Sequence, residues 1–136
     1  MDYDLSAIPG WLDRETSALV KGKITSLVAR HPSILAVILY GSVARHDERP
    51  LNEPDPSDVD VLVIVDGDRA AIRAQEAALF STMGLAEKRH LQAPREVNVL
   101  FASRTLQEWD PTFVANVARD GIVLYQRGPL PALFVA

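Results

Sequence analysis

The feature that most constrains the fold is a run of seven apolar residues, Ile34 to Tyr40, which stops at Gly41. The run is short, continuous and rich in branched side chains, as is typical of a strand that is covered on both faces. Such a strand predicts a layered α/β domain in which helices flank a sheet. The chain has 136 residues, 48% of them apolar, so we expect residues 1–136 to form one domain around this core.

The other elements alternate between helix and strand. The patterns predict a first helix that ends before His31 and a helical turn after Gly41. A strand over Asp58–Asp66 follows, then a helix over Arg69–Met83 that ends at Gly84, and a strand over Glu96–Phe101. The last elements are a helix that is capped by Asp110 and ends at Gly121, and a strand over Ile122–Tyr125. Residues 47–57 hold three prolines and four acids without apolar periodicity, which indicates an exposed loop. We therefore expect an α/β (α+β) fold with a small mixed sheet flanked by helices.

Composition disfavours several classes of protein. The net charge of −4 argues against unspecific binding to a nucleic-acid backbone, which needs clustered basic residues. The absence of cysteine excludes disulfides, thiolate zinc sites and a cysteine nucleophile, and favours a cytoplasmic location. No apolar run approaches the length of a membrane span. The short basic cluster of Lys88, Arg89 and His90, with Arg95 nearby, is interpreted as a solvated loop rather than as a site for phosphate or an acidic partner.

Gly41 and Ser42 follow the first strand directly and precede residues that can start a helix. Glycine lets the backbone approach a ligand closely, and free amides beside a hydroxyl can hold phosphate oxygens. By itself, however, such a pair is usually only a turn.

Asp58 and Asp60 lie two residues apart at the start of the second strand, so both carboxylates should project from the same face. Two like charges at this spacing repel each other unless a cation neutralises them, and hard oxygen ligands suit Mg²⁺ bound together with phosphates. For an isolated pair, a loop cap and a solvated sheet end would be the more common explanation.

Taken together, these motifs resemble a known family. The stretches Leu39–Arg45 (LYGSVAR) and Ser57–Val63 (SDVDVLV) are similar to the signature of the polymerase-beta-type nucleotidyltransferase superfamily, above all to its minimal members, which are often paired with HEPN proteins. The resemblance is specific over residues 34–66 and looser towards Tyr125.

The resemblance implies the nucleotidyltransferase fold and the transfer of AMP from ATP to a hydroxyl, with two Mg²⁺ ions held by three carboxylates. In this chain Asp58 and Asp60 would bind both ions, while Gly41 and Ser42 would hold the terminal phosphates. Arg45 would either neutralise phosphate charge or pair with an acid of the following loop.

One residue departs from that pattern. The best match for the third carboxylate is Asn98, which brings no negative charge and cannot act as a base; Glu96, on the same face of the strand, is the alternative. Two functions therefore stay open. The first is an adenylyltransferase that modifies a partner such as a HEPN-type toxin and so acts as an antitoxin. The second is an inactive module that neutralises its partner by contact. A homo-oligomer is compatible with both.

Overall fold

The computed structural model describes residues 5, 7–54, 56–82, 90–91, 95–103 and 110–127. Within them the elements are, in chain order, α1 (Arg14–Arg30), β1 (Ile34–Tyr40), α2 (Gly41–Arg45), β2 (Val59–Val65), α3 (Arg69–Thr82), β3 (His90–Leu91), β4 (Val97–Ser103), α4 (Pro111–Asp120) and β5 (Ile122–Gln126). The predicted succession of helices and strands is confirmed, with β3 as an addition. Met83, Gly84, Lys88, Arg89 and the apolar tail 129–136 lie outside the described residues.

Side-chain caps fix where two of the helices begin. Asp13 Oδ2 accepts hydrogen bonds from the backbone N–H and the hydroxyl of Thr16, at 2.9 and 2.8 Å, directly before α1. Asp110 Oδ1 accepts one from the N–H of Thr112 at 2.9 Å, and Pro111 occupies the first turn of α4. These bonds satisfy backbone donors that have no partner inside the helix. The cap that the sequence predicted at Asp110 is confirmed.

The five strands form one mixed sheet in the order β3-β4-β2-β1-β5. β1 is antiparallel to both of its neighbours, β2 and β5, whereas β4 is parallel to β2. A parallel pair needs a crossover connection, and α3 lies in the chain segment between β2 and β4. As a result, the C-terminal end of β1 and the N-terminal ends of β2 and β4 meet at one end of the sheet.

Both faces of the central strands are covered, as the continuous apolar run of β1 predicted. Val37 and Leu39 belong to a large cluster that includes residues of α1 and α3. Ile38 points the other way, into a smaller cluster with Val114 and Val117 of α4. Each fully buried side chain of this size stabilises the fold by roughly 1.5–3 kcal/mol. No helix in the described part of the chain combines the length and apolar character that crossing a membrane requires.

Candidate active site

A sharp bend joins β1 to the short helix α2. Gly41 has φ +81°, a backbone conformation that residues with a Cβ rarely adopt. Val43 and Ala44 are buried and anchor the bend to the core, and His46 ends the helix in the left-handed conformation at φ 61°. The sequence predicted a glycine where the backbone comes close to a ligand. The positive φ of the bend requires a glycine at this position by itself.

Asp60 lies directly against this bend. It is paired with Tyr40, the last residue of β1, across the β1–β2 ladder. A Cβ added to Gly41 would overlap Asp60 Oδ2 and would stand 3.3 Å from the carboxyl carbon. The glycine therefore leaves room for the carboxylate, and the predicted convergence of the acids with the glycine–serine bend is seen for Asp60 and Gly41.

Asp58 and Asn98 complete a compact polar cluster with Asp60. Asn98 is directly opposite Asp60 in the parallel β2–β4 pair. Its side-chain Nδ2 donates a hydrogen bond to Asp58 Oδ2 at 3.0 Å and a longer one to Asp60 Oδ1 at 3.5 Å. Because one amide reaches both carboxylates, the two acids face the same side of the sheet, as their spacing predicted.

The surroundings of Asp60 shift the pKa of its carboxyl group in both directions. Burial raises the pKa of its carboxyl group above the ordinary value, and the charge of Asp58 adds to the rise. The hydrogen bond from Asn98 and the charge of Arg45 lower that pKa. Burial also raises the pKa of the neighbouring Tyr40, and so does the charge of Asp60. The site thus concentrates negative charge where water is partly excluded, which favours the binding of a cation.

Arg45 takes the second of the two roles that the sequence left open. Its Nε lies 3.1 Å from Asp47 Oδ2 in the following loop, and the two side chains are 40% and 58% exposed. An exposed ion pair of this kind stabilises a protein by only about 0–1 kcal/mol. If Arg45 left Asp47 to pair with a phosphate group, the protein would therefore lose little stability.

The other two predicted residues flank the cluster. Ser42 is half-buried in α2, and its carbonyl accepts a hydrogen bond from the N–H of Asp47 at 3.0 Å. Glu96 precedes β4, and its carbonyl accepts one from the N–H of Val59 at 2.8 Å. The ladder thus places Asn98, and not Glu96, opposite Asp60.

Two further residues support the site. Arg95, for which the sequence favoured a solvated loop, is instead only 7% exposed, and its Nη1 donates to the carbonyls of Arg49 and Ser57, both at 2.8 Å. It thereby fixes the residue before Asp58. Trp11 Nε1 donates to the carbonyl of Val43 at 2.7 Å, and the indole stacks on His46 at 4.3 Å between ring centres. Neither residue lies in a local pattern that would have revealed these long-range contacts.

The described surface includes a smaller and a larger cavity. A pocket of about 200 Å³ adjoins Gly41 and is lined by Tyr40, Arg45, Phe113 and Asn116, among others. A larger one of about 440 Å³ lies between α3 and the far end of β4 and is lined by Arg69, Arg73 and Ser103, among others. Its lining on β4 runs from Phe101 to Ser103, three to five residues beyond Asn98, so the larger cavity lies about 10–16 Å along the strand from the acids. The smaller pocket is therefore the one that adjoins the polar cluster.

The donors in the cluster suit a hard divalent cation. The two carboxylates are oxygen ligands of the type that Mg²⁺ prefers, and Asp60 lies against the Gly41 bend. Across the residues that the structure describes, no group of three or more His, Cys, Asp or Glu side chains could hold a metal ion. The donor set therefore fits Mg²⁺ that takes its remaining ligands from phosphates or water.

Solved structures of other proteins are similar to this chain in fold. The chain is similar to a solved structure of a candidate nucleotidyltransferase from Sulfolobus solfataricus, with 16% identity, a TM-score of 0.52 and coverage of 81% of this chain and 79% of that chain. Structures of a toxin–antitoxin complex with AMP-PNP and of a mutant MntA–HpeT toxin–antitoxin pair are less similar, with TM-scores of 0.44 and 0.43 and identities of 18% and 16%. Each comparison covers 78% of this chain and 73% of the other.

The sequence itself identifies the family. No curated protein matches the chain by sequence. The family model described as Polymerase beta, Nucleotidyltransferase matches residues 22–129, which include the glycine–serine bend, both acids and Asn98. The TM-score of 0.52 indicates that the Sulfolobus protein has a similar fold. The chain therefore belongs to the polymerase beta nucleotidyltransferase family.

Proposed function

We propose that this protein transfers AMP from ATP to a hydroxyl group of a partner protein. One observation carries the proposal: Asp58, Asp60 and Asn98 converge beside the Gly41 bend at one end of the sheet. Such a site combines ligands for a cation with a backbone that a triphosphate can approach closely. The shared family supports nucleotidyl transfer in general. AMP, Mg²⁺ and the partner are the more specific parts of the proposal.

The chain's own residues have distinct tasks in this reaction. Gly41 admits the triphosphate to the bend, and the Ser42 hydroxyl binds a terminal phosphate. Asp58 and Asp60 hold Mg²⁺, with Asn98 as their neutral neighbour. Arg45 exchanges Asp47 for phosphate oxygen and so offsets the charge that develops on the leaving pyrophosphate. The bound metal would polarise the phosphate and lower the pKa of the attacking hydroxyl.

The transfer is a single displacement at phosphorus. The acceptor oxygen forms a bond to the α-phosphorus and releases its proton to water, while the bond from that phosphorus to the pyrophosphate oxygen breaks and pyrophosphate leaves. Because little covalent chemistry falls to the protein, the arrangement of the groups and their charges supplies most of the rate enhancement. The acids, the bend and Arg45 serve these two purposes.

The partner that we propose is a HEPN-type toxin, whose tyrosine would receive AMP and thereby lose its activity. This part rests on the resemblance of the Leu39–Arg45 and Ser57–Val63 stretches to minimal nucleotidyltransferases. In that role the protein would act as an antitoxin. The toxin would then present its tyrosine to the cluster of Asp58, Asp60 and Asn98.

Label transfer tests the activity. The protein is incubated with Mg²⁺, α-labelled ATP and proteins encoded beside it, and we expect label on one of them. Asp58→Ala should reduce the transfer about a hundredfold or more, because it removes one of the two carboxylates that would hold the metal ion. Asp66→Ala is the matched control, since Asp66 is an exposed acid just beyond the opposite end of β2. Equal transfer by both variants would contradict the assignment of Asp58.

The second candidate function is neutralisation of a partner by contact alone. The observation that favours it is Asn98, since an amide occupies the place where a third carboxylate is expected. In that case no label would reach any neighbouring protein, yet the partner would still be inhibited by the Asp58→Ala variant. Inhibition assays with this variant therefore separate the two functions.

A further inference from the structure

Asn98 places a hydrogen-bond donor between the two acids, where a cation would otherwise offset their charge. Its Nδ2 carries two hydrogen atoms and lies 3.0 Å from Asp58 Oδ2 and 3.5 Å from Asp60 Oδ1. A donor between two carboxylates reduces their mutual repulsion, as a positive ion would do more strongly. The acid pair is thus held together by a neutral group of the chain itself.

The sheet fixes the position of this amide. Asn98 is opposite Asp60, and the flanking pairs Val59–Val97 and Val61–Val99 are buried. A shift of the register by one residue would turn these valines towards the polar face and would bury the acids instead. The amide is therefore a fixed part of the site.

Charge limits what the cluster can bind. Two carboxylates balance one divalent cation, and Asn98 adds no charge. In the described part of the chain, no third Asp, Glu, His or Cys joins them in a group able to hold a metal. A second divalent ion would have to be held by phosphates and neutral groups, beside an amide whose hydrogens repel it.

We propose that Asp58 and Asp60 hold a single divalent cation together with the phosphates of the nucleotide, and that Asn98 is the positioning residue that limits the site to one ion. In the metal-free protein Asn98 keeps the two carboxylates together, and a bound ion would take over this task from its NH₂ group. The inference rests on the proposed function only in that a nucleotide supplies the other ligands.

Counting bound ions tests this directly. Mn²⁺, which is visible by electron paramagnetic resonance, is titrated into the full chain in the presence of a non-hydrolysable ATP analogue. We expect one tightly bound ion per wild-type chain and two in Asn98→Asp. Asn52→Asp, the same change in an exposed loop, should bind one. Two ions in the wild type, or still one in Asn98→Asp, would overturn the proposal.

Stability without metal gives a second readout. In EDTA, Asn98→Asp should melt several degrees below the wild type, because three carboxylates then repel one another, and Mn²⁺ with the nucleotide should raise its melting temperature more than that of the wild type. Asn98→Ser, which adds no charge, should still bind one ion and serves if the aspartate variant does not fold. Equal melting temperatures for wild type and Asn98→Asp in EDTA would show that Asn98 does not hold the acid pair.

These measurements do not depend on catalysis. A chain that binds one ion but transfers no label would refute the proposed function and leave the inference standing. A chain that transfers label while it binds two ions would refute the inference alone. The count of ions thus tests the inference, and the label assay independently tests the proposed function.

Discussion

At the scale of single residues, Gly41 is the position where the backbone and the site depend most directly on each other. Its φ of +81° and its contact with Asp60 each exclude a larger side chain. Gly22, within α1, is different, because a Cβ there would meet nothing within 4 Å. The two glycines thus provide a test of whether the bend, rather than chain flexibility, matters.

Gly41→Ala should destabilise the protein by about 1–3 kcal/mol, because alanine is strained at this φ and its methyl group displaces the Asp60 carboxylate. It should also weaken the binding of magnesium–ATP. Gly22→Ala should stabilise the protein by about 0.5–1 kcal/mol, since alanine favours the helix. Urea unfolding and calorimetric titration measure both effects. Unchanged nucleotide affinity in Gly41→Ala would mean that the ligand does not approach the bend.

At the scale of elements, the segment between α2 and β2 depends on one buried side chain. Arg95 donates to the carbonyls of Arg49 and Ser57, and its Nε lies 3.9 Å from Asp13 Oδ1. Ser57 also accepts a hydrogen bond from the N–H of Arg49 at 2.7 Å. Arg95 thereby connects the loop to the start of α1 and orients the chain just before Asp58.

Arg95→Met should lower the free energy of unfolding by about 2–4 kcal/mol, because it removes two buried hydrogen bonds to carbonyls and the positive charge beside Asp13 Oδ1. It should also reduce the affinity for magnesium–ATP, since Asp58 then loses its fixed approach. Arg119→Met is the control, because Arg119 pairs with Asp120 at the surface, and it should leave both quantities unchanged. If Arg95→Met has the same free energy of unfolding as the wild type, the buried contacts of Arg95 make no net contribution to stability.

The elements could largely be predicted from the sequence, whereas the contacts between them could not. The apolar run of β1 and the helical stripe that includes Ile24 specify their structures locally, and both are buried. β3 has only two residues and gives no periodic pattern. The opposition of Asn98 to Asp60 depends on the pairing of distant strands. The burial of Arg95 likewise depends on partners 38 and 46 residues away.

At the scale of the whole molecule, one face of the sheet is covered unevenly. Leu62 and Leu100 are paired neighbours on β2 and β4. Leu62 is fully buried in the cluster with α4, whereas Leu100 is 37% exposed. Ala102, two residues further along β4 on the same face, is buried in that cluster. Among the described residues, the cover over β4 therefore ends before Leu100, on the side towards Asn98 and the polar cluster.

Leu62→Ala should destabilise the protein by about 2–5 kcal/mol, because it creates a cavity in a fully packed layer. Leu100→Ala should cost no more than about 1 kcal/mol, since its side chain is partly in water already. Thermal and urea unfolding measure how much stability each variant loses. Similar losses for both would indicate that something else covers Leu100 in solution.

The parallel pairing of β2 with β4 also has a consequence for folding. Such pairs form late, because a long loop must close before the two strands can meet. Asp58 and Asp60 precede Asn98 by about forty residues, so no early hairpin can assemble the cluster. During refolding, binding of a fluorescent nucleotide should therefore appear only in the slowest phase, after the helices have formed.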